Sequence, residues 1–181
     1  MKRLCERCAL WLCGLAALTG VGSLTAAPTA SEVQVKAAFI YHFTEFVDWP
    51  AHTFAQAKSP FVIGLMGGTA LNEALVKMVR GEAMDGHPIE VRQLHRRLEA
   101  TDCQIVVVAR EEEDLFRSAQ LRDLPVLTVG ETDDFLRSGG IIAFVNDGNR
   151  VKLRINLTAA QAASLQISSK LLRVAQVLPA P

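Results

Sequence analysis

The side chains that could do chemistry are few and scattered. His42, His52, His87 and His95 lie far apart, and none forms the His-x-His or His-x-x-x-His pair that sets two imidazoles on one metal. The spacing therefore predicts no metal centre. Ser168-Ser169-Lys170 puts two hydroxyls beside an amine, an arrangement a nucleophilic enzyme could use if the amine activated a serine. The Ser-x-x-Lys spacing is missing, because Ile167 stands where its serine would be required, and no base or oxyanion donor accompanies it. Ser168 reads instead as a small residue that lets another element approach closely. No catalytic residue is assigned, and the expected class is not an enzyme.

Two further features could bind or react. Gly67-Gly68 follows an apolar run and precedes Thr69 and a helical pattern, where free backbone N–H groups can hold an anion. Both the dinucleotide and P-loop patterns are incomplete, with no suitably placed lysine. Gly67, Gly68 and Thr69 are the candidate small-ligand positions, weighed against a plain turn, and no cofactor is expected. Among the cysteines, Cys5, Cys8 and Cys13 fall in the first 26 residues, leaving Cys103 alone. Cys103 reads either as a buried thiol at a strand start or as a redox-sensitive thiol that pairs between chains.

The first 26 residues have the form of a secretory leader: basic Lys2, Arg3 and Arg7, an apolar Ala9–Leu18 stretch, then small residues. That stretch is too short to span a bilayer, and bulky Leu12 before Cys13 argues against a lipid anchor. Residues 1–26 are expected to be a cleaved signal peptide and 27–181 one α/β domain in the periplasm. The whole chain has no net formal charge; without its leader it keeps 16 basic and 18 acidic residues, a net of −2. That balance gives no electrostatic case for nucleic acid or for an anionic membrane surface.

The positioning elements follow from periodicity. Ser31-Glu32-Val33-Gln34 has capping-box spacing and predicts a helix burying Val35, Phe39, Phe43 and Phe46 until Trp49-Pro50. Strands are predicted over Phe61–Met66, Ile89–Leu94, Gln104–Ala109 and Pro125–Val129, with helices over Asn72–Arg80, Glu111–Leu121 and Thr132–Arg137 between them. This alternation predicts a mostly parallel sheet covered by helices. Ile141–Val145 and Val151–Ile155 read as a β-hairpin, and Thr158-Ala159-Ala160-Gln161 as the cap of a long C-terminal helix reaching about Val177. His95-Arg96-Arg97 and Glu111–Asp114 read as solvated charge. Trp49 and Phe144 could each close the core or anchor an interface.

Several segments occur in a distinctive order: Val35-Lys36-Ala37-Ala38-Phe39-Ile40-Tyr41, Phe46-Val47-Asp48-Trp49-Pro50, Leu127-Thr128-Val129-Gly130 and Gly139-Gly140-Ile141-Ile142-Ala143-Phe144. Arg154-Ile155-Asn156-Leu157 and Ile167-Ser168-Ser169-Lys170-Leu171-Leu172 complete the set. Together they resemble the YfiR family of periplasmic regulators. The resemblance implies a repressor that holds an inner-membrane diguanylate cyclase inactive through its periplasmic sensor domain. Its loss would raise cyclic-di-GMP and favour biofilm. The resemblance also implies a homodimer and redox control through disulfides. A single mature cysteine cannot form an internal bridge, so either that control is missing or Cys103 pairs between chains. The leading expectation is a protein–protein regulator with Trp49, Ile142 and Phe144 as partner-binding residues. The alternative is a periplasmic small-ligand sensor.

Overall fold

The computed structural model describes residues 30–114, 116, 121–148 and 150–178. The expected leader, with Cys5, Cys8 and Cys13, lies outside these residues. Along the chain run α1 (Ala30–Phe46), β1 (Val47–Asp48), β2 (Phe61–Met66), α2 (Thr69–Met78), β3 (Ala83–Met84), β4 (His87–Gln93), β5 (Ile105–Val108) and β6 (Leu127–Gly130). Then come α3 (Asp133–Arg137), β7 (Ile142–Asp147), β8 (Arg150–Ile155), α4 (Leu157–Ala162), β9 (Gln166–Ile167), α5 (Ser169–Leu172) and β10 (Ala175–Val177).

Every residue of β2, β5 and β6 is buried, as strands covered on both faces require. Their side chains alternate between two cores. Phe61, Ile63, Leu65, Ile105, Val107, Leu127 and Val129 face the side carrying α1 and α2, where they meet Ile40, Phe43, Leu71 and Leu75. Val62, Met66, Val106 and Val108 face Leu94, Cys103, Phe116, Leu121 and Phe135. The eight strands are ordered β10-β8-β7-β6-β5-β2-β4-β3. The pairings from β4 through β2, β5 and β6 to β7 are parallel, giving the chain order of doubly wound open sheets, whose switch point lies between the first and third strands. The antiparallel β7–β8 hairpin extends one side, aligning Ile142 with Ile155 and Phe144 with Leu153. As alternation predicts, Leu153 and Ile155 are buried while Lys152 is exposed.

The chain departs from expectation in four places. The long C-terminal helix is replaced by two short helices and two strands. α4 ends in a Schellman arrangement: Leu165 N–H donates to the Ala160 carbonyl at 2.9 Å and Ser164 N–H to that of Gln161 at 3.0 Å. Ser164 takes the left-handed conformation, φ 58°, and buried Leu165 supplies the closing apolar contact. The chain then pairs as β9 with β1 and as β10, in parallel, with β8. The cap of α4 is Asn156, whose side chain accepts from Ala159 N–H at 3.0 Å, rather than Thr158.

α1 is already helical at Ala30, which places Ser31 inside its first turn, and its buried face is Lys36, Ala37, Ile40, Phe43 and Thr44. Val35 is left exposed. That rotation buries the stem of Lys36, whose ammonium pairs with Glu32 at 3.0 Å and Glu131 at 3.1 Å. Of the helix expected over 111–121, the described residues show a 3-10 turn, Arg110–Glu112; residues 115 and 117–120 lie outside them. The fourth difference is a hairpin between β3 and β4. Its two turn residues, Asp85 (φ 50°) and Gly86 (φ 86°), are both left-handed, the conformation of a type I′ turn.

Candidate functional site

The short strands gather the site. Val47 and Asp48, just after α1, pair antiparallel with Ile167 and Gln166, and Ser168 N–H donates to the Phe46 carbonyl at 2.9 Å. Ser168 also caps α5, accepting from Lys170 N–H at 3.3 Å. Thus Ser168 works through close backbone approach and capping, in a segment that clamps the end of α1.

Beside this clamp lies a cleft of about 430 Å³. One wall is the last turns of α1, with Tyr41, Thr44 and Glu45; a second is Asp48 and Trp49; the third is the β3–β4 hairpin, with Met84 and Asp85. Phe54 completes it. Trp49 is half-buried, with its ring edge-to-face on Phe61 at 5.0 Å and its indole N–H donating to the Gln104 carbonyl at 3.3 Å. The orientation of the indole is therefore set by the sheet beneath it. Phe54 stacks on His87 at 3.8 Å. The Nδ1–H of His87 donates to the Ser59 carbonyl at 2.6 Å, which fixes that wall in turn.

The lining is acidic. Glu45, Asp48 and Asp85 face it, and Tyr41 donates its hydroxyl to Glu82 at 3.1 Å. That hydrogen bond first, then burial and the nearby charges of Glu82 and Glu45, push the Tyr41 hydroxyl above its usual range. The phenol therefore stays a neutral donor. Glu45 meets His42 at 3.3 Å. No other ion pair reaches the cleft carboxylates among the described residues.

Of the residues expected to contact a partner, only Trp49 borders this cleft. Ile142 and Phe144 lie in the core, at 0% and 3% exposure. Phe144 packs its ring 6.1 Å from Phe39 and 6.2 Å from Phe43. Phe144 thus supports α1 from below, and Ile142 lies in the same core. Any surface here is made by their neighbours.

Gly67 and Gly68 sit at the switch point, both left-handed at φ 73° and 65°, with Gly68 preceding Thr69 at the start of α2. A Cβ on Gly67 would lie 2.9 Å from that of Ala109 and 3.0 Å from a Glu111 oxygen, so close packing accounts for the glycine. Gln93 fills the adjoining space, donating to the Leu65 carbonyl at 3.1 Å and accepting from Asn72 at 2.6 Å. The carboxylate of Glu111 also sets negative charge beside this turn.

Cys103 is 2% exposed. Burial pushes its thiol up to about 11, and the thiol donates to the Glu99 carbonyl at 3.5 Å. It is held as an apolar packing group on the face away from α1. His42, His52 and His95 stand at the surface and His87 is buried. Among the described residues no three His, Cys, Asp or Glu side chains converge to hold a metal ion, and no helix is long and apolar enough to cross a membrane.

Apart from Trp49, the cleft residues, Tyr41, Glu45, Asp48, Phe54 and Asp85 among them, were not singled out from the sequence. For Asp85 a signal was present in the Asp85-Gly86 pair, a two-residue hairpin mark.

The segments in the distinctive order also meet in space. Leu127–Gly130 pairs with the Ile142 strand, that strand with Arg154-Ile155, and Phe46–Asp48 with the segment at Ile167. No curated protein matches the chain. Among solved structures, a conserved domain protein from Vibrio cholerae O1 biovar El Tor is similar at 13% identity and a TM-score of 0.49, over 80% of this chain and 59% of that one. The present chain thus spans less than two thirds of that chain's length. A family model described as YfiR/HmsC-like matches residues 33–176, from within α1 to within β10. The chain belongs to the YfiR/HmsC-like family.

Proposed function

We propose that this protein represses an inner-membrane diguanylate cyclase by contact with its periplasmic sensor domain, lowering cyclic-di-GMP and biofilm formation. The observation that carries the reading is the family match over residues 33–176, since this family suggests a periplasmic regulator of cyclic-di-GMP signalling rather than a catalyst. Export by a leader at residues 1–26 would bring residues 27–181, as one domain, to the compartment where the sensor lies, and a homodimer is the proposed working form. Trp49 is the proposed direct contact, being half-buried at a cleft rim. Ile142 and Phe144 are proposed to act beneath the surface, by holding α1 in place.

The test is cyclic-di-GMP in a deletion strain complemented with the full chain or with a version lacking Met1–Ala26. A rise on deletion, reversed only by the full chain, is the expected result. Unchanged cyclic-di-GMP under several growth conditions would refute it. Alanine at Trp49 should weaken partner binding by about 2 kcal/mol if it anchors the contact. Unaltered affinity of the folded variant would make Trp49 a core residue only.

A second reading, a small-ligand sensor, draws on Gly67, Gly68 and Thr69 at the switch point of the sheet. It predicts a rise in melting temperature with one class of metabolite, because a ligand of the native state stabilises that state. No shift across a broad panel would set it aside.

A further inference from the structure

We infer that the cleft between α1, β1 and the β3–β4 hairpin receives a basic side chain, lysine or arginine, presented by the partner; this inference rests on the regulator reading above. Three features point to a cation. The lining carries Glu45, Asp48 and Asp85, with no Lys or Arg among the described lining residues. Asp48 and Asp85 have no ion pair, and Glu45 meets only His42, so this negative charge is not balanced by an ion pair to Lys or Arg among the described residues. Tyr41, Trp49 and Phe54 supply aromatic surface beside it, and aromatic faces attract cations, guanidinium above all.

The cleft also discriminates among cations. Its carboxylates do not converge with other ligands into a set of three that could hold a metal ion, among the described residues. A spread of charge over about 430 Å³ suits a guanidinium or ammonium on an aliphatic stem, which satisfies separated carboxylates and packs along aromatic rings. An anionic or neutral polar ligand would meet repulsion or leave the carboxylates unmatched. The walls are built before binding. Trp49 is fixed by Gln104 and Phe61, and Asp85 by its two-residue turn, so little ordering remains to oppose association.

The first test is a titration of the protein, purified in exported form, with acetyl-Gly-Arg-Gly-amide and acetyl-Gly-Lys-Gly-amide, read by the fluorescence of Trp49. The same peptide with Gln in place of the basic residue is the control. Saturable changes with the basic peptides alone are expected, weakened about tenfold in Asp48→Asn/Asp85→Asn and by high salt. Both aspartates are exposed, so the variant's unfolding midpoint should match the parent's. No saturation with either basic peptide, an equal response to the Gln peptide, or unaltered affinity in the folded double variant would overturn the inference.

The second test is repression in cells by Asp48→Lys/Asp85→Lys, expected to leave cyclic-di-GMP at the deletion level. If deletion raises cyclic-di-GMP and the folded charge-reversed protein represses as well as the parent, the cleft inference falls and the regulator reading stands. If deletion changes nothing, the regulator reading falls, and with it the assignment of the basic group to that partner.

Discussion

Alanine at Gly64 should destabilise this protein, and removing the Cys103 thiol should restore part of the loss. A Cβ on Gly64 would lie 2.7 Å from Cys103 Sγ and 2.7 Å from Leu94 Cδ1, far inside the usual contact of about 3.5–4.0 Å. Overpacking of that kind costs about 1–3 kcal/mol. Alanine regains about 0.5–1 kcal/mol over glycine in a strand through chain entropy, so the net loss should be about 1–2 kcal/mol. Cys103→Ala alone deletes one buried sulfur, comparable to a methylene, at about 1 kcal/mol. In the double variant the new methyl enters the space that sulfur leaves, while the flexible end of Leu94 yields. The double loss should therefore fall short of the sum by about 1 kcal/mol, within the coupling seen for touching residues. Urea unfolding read by Trp49, the only tryptophan after Ala26, gives each stability by linear extrapolation. Additivity within about 0.5 kcal/mol would refute the reasoning. The same burial predicts that Cys103 reacts slowly with thiol reagents in the native state and quickly in urea. Fast native labelling would restore the redox reading.

Other consequences can be measured on the same protein. Burial raises the Glu113 carboxyl above its ordinary 4.5 despite hydrogen bonds from Thr132 and Glu131 N–H. The folded state thus holds that proton more tightly, and the stability it contributes is present below pH 4.5 and lost as pH rises through the raised value. Glu113→Gln should lose less stability than the parent on going from acid to neutral pH; parallel stability curves would count against the assignment. Ser164→Gly should gain about 1 kcal/mol, because glycine removes the left-handed penalty at the end of α4. A lower urea midpoint would contradict it. Lys36→Met should cost about 2–3 kcal/mol by removing the ammonium that pairs with Glu131, whose side chain keeps 21% exposure. Adding Glu131→Gln should recover part of that, and an unchanged loss would show the pair is not coupled.

The parallel centre was legible because its two inner strands, β2 and β5, carry no polar side chain. Phe61–Met66 and Ile105–Val108 have little choice but a site covered on both faces, and Gly67-Gly68 ends the first cleanly. The hairpin was legible from the alternation of Val151, Leu153 and Ile155. The C-terminal segment was not. Ala, Gln, Leu and Lys favour a helix locally, and the residue that stops α4 is a serine, which gives no such warning as glycine. Strand formation at Ala175–Val177 depends on β8 offering an open edge, a fact of tertiary structure that local propensity does not contain. For the same reason Trp49 could be singled out as an aromatic at a helix end, while its acidic neighbours could not. Asp48 was adjacent, but Asp85 reaches the cleft only because β3 and β4 fold back beside α1.

The pairing of Val47 with Ile167 joins positions separated by roughly 120 residues. A chain emerging from its N-terminus first makes α1 early, yet it cannot close the clamp at the end of that helix until almost all the rest has appeared. Until then Ile40, Phe43 and Trp49 have no complete cover, and the nascent protein presents an unfinished apolar surface. Truncation before Gln166 would remove β9 and with it the backbone pairing that closes the end of α1.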